Sequence, residues 1–269
     1  MHIDFNKLPP PVRAAVQAHT GTIRHARSVE AGINSTIAAI LDTELAGHVF
    51  LKGVPEQHDA VMNQQREARV SPHVEEISPR MLWQETASGW DLIAFTAIEA
   101  ARHADYAPGS PDLAMLAAVL NTLAELPCPP VPMMSAERRW GAFLDSPADV
   151  KHLTGASLLH TDYNEGNVLI TKDRAWLVDW AWATRGAAFI DLACLIPRLI
   201  AAGHSPDEAE AWAAKHAVWQ NANPLAINTF SHAIARMWRH LAGSDPQATW
   251  RRPLVEAAAT WATHRAATS

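Results

Sequence analysis

The spacing of apolar and polar positions changes character once along this chain, from short alternating runs to long helical periods. Three strand-like runs, roughly residues 23–29, 36–41 and 48–54, are separated by Glu30-Ala31-Gly32-Ile33-Asn34-Ser35 and by Asp42-Thr43-Glu44, both rich in turn formers. They predict a β-meander. Residues 57–70 are polar and free of Gly and Pro, which predicts a helix, and residues 81–86 and 90–95, joined at Ser88-Gly89, predict two further strands. From about residue 96 the sequence turns Ala- and Leu-rich. Residues 111–126 read as a helix with Asp112 in its first turn and Pro127 at its end, followed by a stiff Pro-rich loop over 127–132. Residues 168–171 and 175–178 read as a strand pair turned at Lys172-Asp173-Arg174. Ser205-Pro206-Asp207-Glu208 supplies a cap, a proline at the first helical position and a glutamate at the third, a capping box. The expectation is an α+β chain: residues 1–96 form an antiparallel five-stranded lobe with one helix, and residues 97–269 a mostly helical lobe.

Composition narrows the classes. With 269 residues and 48% hydrophobic positions the chain is long enough for a large core. A formal net charge of −6, with no run of Lys or Arg, argues against nucleic-acid binding and suits, if anything, a cationic small molecule. Only Cys128 and Cys194 occur, far apart, so neither a disulfide framework nor a zinc site is indicated. The first residues show no basic-then-apolar leader, and no run of 18 apolar residues exists to cross a bilayer. A cytoplasmic protein, monomeric or dimeric and without membrane partners, is expected. The fourteen His residues are scattered, and only His160 enters the chemistry.

That chemistry lies in Leu158-Leu159-His160-Thr161-Asp162-Tyr163-Asn164-Glu165-Gly166-Asn167, followed by the strand pair and then Val178-Asp179-Trp180. His-x-Asp with an Asn five residues beyond the Asp, and another Asp past a hairpin, are the parts phosphoryl transfer needs. A carboxylate orients the attacking hydroxyl and accepts its proton, while oxygen ligands hold Mg²⁺ against the β- and γ-phosphates. Asp162 fits the first task. Asn167 and Asp179 fit the second, because a tight hairpin returns the chain alongside itself and brings its flanks together.

With these motifs the chain resembles the aminoglycoside phosphotransferase family, relatives of the protein kinases, from about residue 20 to its end. The resemblance implies a two-lobed kinase-like fold and a nucleotide donor, ATP or GTP, with Mg²⁺. It implies that Lys52 contacts the α/β-phosphates and that a helix glutamate pairs with it; Glu67 is the match, with Glu56, Glu75 and Glu76 nearby should the helix register differ. The turn ending at Ser35 would cover the phosphates, although it carries one Gly where the protein-kinase pattern has three. Phe95 to Ile98 would be the hinge against which the base lies. His160 and Asp191 would brace the catalytic loop. Asp179-Trp180-Ala181 replaces Asp-Phe-Gly, and no Ala-Pro-Glu or activation segment follows, so a peptide acceptor is not expected.

The acceptor must then be met in the second lobe, after Thr184. Trp182, just before it, and Asp207 and Glu208 are candidate contacts; Trp212, Trp219, Trp238, Trp250 and Trp261 could stack on a ring or pack a core. The resulting expectation is ATP-dependent O-phosphorylation of a small hydroxylated compound, an antibiotic, with resistance as the outcome. The alternatives are a metabolic kinase for choline, homoserine or a sugar, a choline-type acceptor calling for an aromatic cage in the second lobe, and an inactive kinase-like binding protein. An aminoglycoside would call for clustered carboxylates.

Overall fold

A computed structural model of the protein describes residues 3–29 and 35–268. The chain folds as two compact units: Met1–Arg102 together with Trp176–Trp182, and His103–Ala175 together with Ala183–Ser269. This division differs from a linear boundary at 96/97, because the short segment carrying Asp179 belongs with the first unit.

In the first unit α1 (Pro10–Thr20) precedes β1 (Ile23–Ser28), β2 (Ile37–Thr43) and β3 (Gly47–Pro55); α2 (Val61–Val70) then leads to β4 (Met81–Ala87) and β5 (Trp90–Thr96). The five strands form one antiparallel sheet in the order β1-β2-β3-β5-β4. Of the expected turn from Glu30 to Ser35, Glu30 to Asn34 lie outside the described residues, and Ser35 is buried. The expected helix over 57–70 starts only at Val61. His58 donates its N–H to Pro55 O and its ring Nδ1 accepts from Ala60 N, so residues 57–60 form a turn instead.

The period of two in the strands decides which side chains meet which helix. Ile37, Ala39, Leu41, Val49, Leu51, Leu92 and Ala94 face one way, against Phe5, Leu8, Val12 and Val16 from the N-terminal segment and α1. Each fully buried Val or Leu on that face contributes about 1.5–3 kcal/mol. The intervening positions, Phe50, Ile93 and Phe95, face the other way and pack against Ala68 of α2. Lys52 alternates with Leu51 and pairs with Ile93 in register, so it stands on the α2 side. α1 had no counterpart in the sequence reading. Its signal is a proline at the first helical positions followed by the i, i+4 pair Val12 and Val16.

The second unit is mostly helical: α3 (Asp112–Glu125), α4 (Ile190–Ala201), α5 (Pro206–Ala213), α6 (Pro224–Ser244) and α7 (Arg252–Thr268). The capping box expected at Ser205 is present, with Ser205 Oγ accepting from Glu208 N at 3.2 Å and the Glu208 carboxylate accepting from Ser205 N at 2.8 Å. A small sheet sets the catalytic loop: Thr184–Gly186 lies between Met134–Ser135, to which it is parallel, and Ser157–Leu159, to which it is antiparallel. Leu159 ends its strand one residue before His160. Beside this sheet Gly155 passes so close to Gly186 that a Cβ on it would lie 2.3 Å from Gly186 O and 2.6 Å from the Ala187 Cα. Both obstacles are backbone, which cannot rotate away.

Gly155→Ala is therefore expected to destabilise the protein by about 2–3 kcal/mol. A urea titration should show a lower midpoint with an unchanged slope, and a midpoint equal to wild type would show that the strands part readily.

Candidate active site

In the first unit Lys52, Glu67 and Asp179 converge. Lys52 Nζ donates to Glu67 Oε2 at 2.7 Å and stands 3.3 Å from Asp179 Oδ1. Lys52 and Glu67 are buried, with side chains 8% and 3% exposed. Two features fix α2 so that Glu67, and not Glu56, Glu75 or Glu76, reaches the lysine. Gln64, one turn earlier, donates to Asp91 O at 2.8 Å and to Asp91 Oδ1 at 2.5 Å, tying the helix to β5. Ser71 Oγ closes the last turn onto Glu67 O at 2.7 Å. The Asp179 segment is tied to the same unit by Leu177 N to Ile77 O at 2.9 Å, by Trp180 Nε1 to Ser78 Oγ at 3.1 Å, and by Arg66 donating to Ala181 O.

Burial works against the Lys52 ammonium, yet the charges of Asp179 and Glu67 outweigh it and hold its pKa above the ordinary lysine value. Burial likewise pushes the Glu67 carboxyl up, opposed by Lys52 and by the backbone N–H of Trp180. At 2.7 Å the contact has the length of a charge-assisted hydrogen bond. One ammonium thus faces two carboxylates. Asp179 Oδ1 is buried and makes no hydrogen bond, the lysine being in charge contact only, and Asp179 adopts φ 63°, a conformation that costs a non-glycine residue about 1–3 kcal/mol. A buried carboxylate oxygen held by a charge contact alone, beside an excess of negative charge, fits a hard cation. Among the described residues no group of three or more His, Cys, Asp or Glu could hold a metal ion by itself. Such a cation would need phosphate and water oxygens to complete its shell, which is how Mg²⁺ is usually held.

In the second unit the loop around Asp162 is pinned from several sides. Asp191, in the first turn of α4, accepts from Thr161 N at 2.8 Å and from His160 N at 3.1 Å. His160 is wholly buried, and its Nδ1 accepts from Asp162 N at 3.3 Å. Thr161 takes φ 67° and receives a hydrogen bond from Arg139, which also reaches Thr184 Oγ1 at 3.2 Å. Asn167 Nδ2 donates to Asp162 O at 3.1 Å, so the Asn crosses back over its own loop. His160 and Asp191 are placed as braces, and neither can reach a reactant without breaking these bonds.

Sequence reasoning missed Arg198. Its Nη2 lies 3.3 Å from Asp162 Oδ1, and its guanidinium sits 5.9 Å from the Trp238 ring. The signal was available, since Arg198 lies seven residues after Asp191 and two turns of one helix put both on the same face. α4 thereby offers a carboxylate to the start of the loop and a guanidinium to its Asp.

The candidate acceptor residues are dispersed. Glu208 is occupied in its cap, and Asp207, 85% exposed, lies 3.6 Å from His264. Glu210 accepts from Trp261 Nε1 at 2.6 Å and from Arg265 at 3.0 Å. Trp212, Trp219 and Trp261 are core residues, whereas Trp250 is 49% exposed and meets Trp238 edge to face at 6.4 Å. Trp182 lies with Trp180 in a short 3₁₀ turn of the first unit. Of the hinge stretch, Phe95 is buried under α2, while Thr96 N and Ala97 N donate to Arg80 O and His48 O. Ile98 follows, half-buried.

Burial raises the Asp191 carboxyl to about 6, although the N–H groups of His160 and Thr161 and the Tyr163 hydroxyl pull it down. The folded protein therefore holds a proton that the unfolded chain releases near its ordinary value of 3.8, so this residue's contribution to stability is full below about pH 4 and is lost as pH rises through about 6. Wild-type protein should gain stability relative to Asp191→Asn on going from pH 7 to pH 5, measured by paired urea titrations. An identical pH dependence in the two proteins would contradict this.

Residues 151–225 match the model of a phosphotransferase enzyme family, APH. No curated protein matches the chain by sequence. Solved structures match its fold: choline kinase LicA from Streptococcus pneumoniae, with TM-score 0.67 and 11% identity over 94% of this chain and 98% of that one, which has also been solved with AMP. An aminoglycoside phosphotransferase from Alicyclobacillus acidocaldarius gives TM-score 0.57 and 14% identity over 98% and 96% of the two chains. Macrolide 2′-phosphotransferase MphH from Brachybacterium faecium gives 0.55 and 16% over 90% and 95%. The family segment includes His160, Asp162, Asn167, Asp179 and Asp191. The chain thus shares the fold of these solved kinases and phosphotransferases, and its residues 151–225 resemble the phosphotransferase family model.

Proposed function

We propose that this protein transfers the γ-phosphoryl group of ATP to a hydroxyl of a small ring-bearing compound, an antibiotic being the leading class. The observation that carries the reading is the pinned Asp162 in one unit together with the Lys52–Glu67–Asp179 cluster in the other. Lys52 would bind nucleotide phosphate, oriented by Glu67; Asp179 and Asn167 would hold Mg²⁺, which when bound with the nucleotide neutralises charge on the β- and γ-phosphates. Asp162 would orient the acceptor hydroxyl and take its proton as the new O–P bond forms and the bond to the β-phosphate oxygen breaks, releasing ADP. Arg198, on one Asp162 oxygen, leaves the other for the acceptor.

A specific observation bears on the acceptor. Of the carboxylates that would grip a polyamine, Glu208 is engaged in its cap and Glu210 on Trp261 and Arg265, which leaves Asp207, 85% exposed and 3.6 Å from His264, as a lone exposed carboxylate rather than a cluster. The side chains leading away from Asp162 are Arg198, Trp238, Trp250 and Arg251, whose guanidinium stands 5.2 Å from the Trp250 ring. Aromatic faces already shared with guanidinium groups favour a neutral or anionic ring over a polycation. A nucleoside or other ring-bearing antibiotic fits this better than an aminoglycoside. The metabolic alternative with choline is less favoured, since its quaternary ammonium would compete with those arginines.

The test is transfer of label from γ-labelled ATP with Mg²⁺ to a panel of nucleoside, basic peptide and aminoglycoside antibiotics, choline, homoserine and simple sugars. A ring-bearing, non-polycationic acceptor should give the highest kcat/KM, and Asp162→Ala should lower kcat by about 10²–10⁴-fold with nucleotide still bound. No transfer to any member, with ATP consumption indifferent to Asp162→Ala, would refute it.

A further inference from the structure

The first unit contains a polar cleft that this chemistry does not use. It has a volume of about 500 Å³ and lies between α1 and the edge strand β1, on the sheet face opposite Lys52. Its polar lining is Asn6, Arg13, Gln17, Arg24 and His25, and none of the described residues that line it is acidic.

Arg13 is the informative member. Its Nε is buried and has no hydrogen-bond partner, and no ion pair reaches the side chain among the described residues. Arg24 is different, because Asp42 lies 3.4 Å from its Nη1 at the rim. The Nε is as closed to the cleft as it is to water, so the guanidinium end of this half-buried side chain is what an acceptor entering the cleft would meet, and no acceptor already holds it among the described residues. A carboxylate or phosphate is the acceptor whose planar or forked oxygens match guanidinium best. β1 adds to this, since among the described residues it has a strand neighbour on one side only and its outer N–H groups lack a ladder partner. The cleft also exceeds the size of a bare oxyanion, and Phe5 and Ile23 give it apolar wall.

We infer that this cleft binds a small organic anion, a carboxylate or phosphate on an apolar body, with Arg13 as its principal anchor. The inference stands apart from the phosphotransferase reading and needs no nucleotide.

Benzoate, phenyl phosphate and the neutral benzamide serve as probes, titrated by calorimetry into full-length protein saturated with Mg²⁺ and a non-hydrolysable ATP analogue, so that the nucleotide site is filled. At least one anion should bind and benzamide should not; the stronger of the two anions tells carboxylate from phosphate. Arg13→Met should weaken that anion roughly tenfold or more. Without ligand, Arg13→Met should melt no lower than wild type, since it removes an unmatched donor and methionine suits a helix. Arg13→Lys, which keeps the charge but not the fork, should also weaken binding and covers the case in which the methionine variant folds poorly. Equal binding of benzamide and benzoate, binding indifferent to both substitutions, or no binding of either anion would overturn the inference.

Discussion

One ammonium held between two carboxylates, out of reach of bulk water, is the constraint around which the first unit is arranged. Lys52 can occupy a buried position only because Glu67 and Asp179 supply charge there, and breaking such a set leaves an uncompensated buried charge. The rest of the unit keeps the three together. Strand alternation turns Lys52 to the α2 side, Gln64 fixes that helix on Asp91, and Trp180, Arg66 and Leu177 hold the Asp179 segment against the same unit. The core under α1 gives the sheet its rigidity from the opposite face.

In the second unit the same economy appears with different parts. Asp191 and Arg198 stand on one face of one helix, and between them they fix the backbone at the start of the loop and the carboxylate of Asp162. Arg139 and Asn167 close the loop from its other sides. Positive φ at Thr161 and at Asp179 puts conformational strain beside both candidate catalytic carboxylates, where it survives because surrounding bonds over-determine the backbone.

Much of this was legible in the sequence where a rule is local. The strands of the sheet followed from alternation and turn residues, and Asp162, Asn167 and Asp179 from spacing. The capping box at Ser205 was read residue by residue. What was not legible depends on partners distant in the chain. α1 shows only two fully buried valines among polar residues and begins with prolines, so its amphipathic signal is thin. The membership of residues 176–182 in the first unit rests on bonds to Ile77 and Ser78, which no local pattern announces. Whether a tryptophan packs or stays exposed was equally undecidable: Trp261, inside α7, is fully buried, whereas Trp250, in the short 3₁₀ turn just before α7, is 49% exposed, and the difference lies in which distant segments cover each.

The most direct measurement is calorimetric titration of a non-hydrolysable ATP analogue, with and without Mg²⁺, into wild type, Asp179→Asn and Asp162→Asn. Asp179→Asn should lose the gain in affinity that Mg²⁺ gives wild type, while Asp162→Asn retains it, because the two carboxylates serve donor and acceptor separately. A full Mg²⁺ effect in Asp179→Asn, or its equal loss in both variants, would contradict the division of roles.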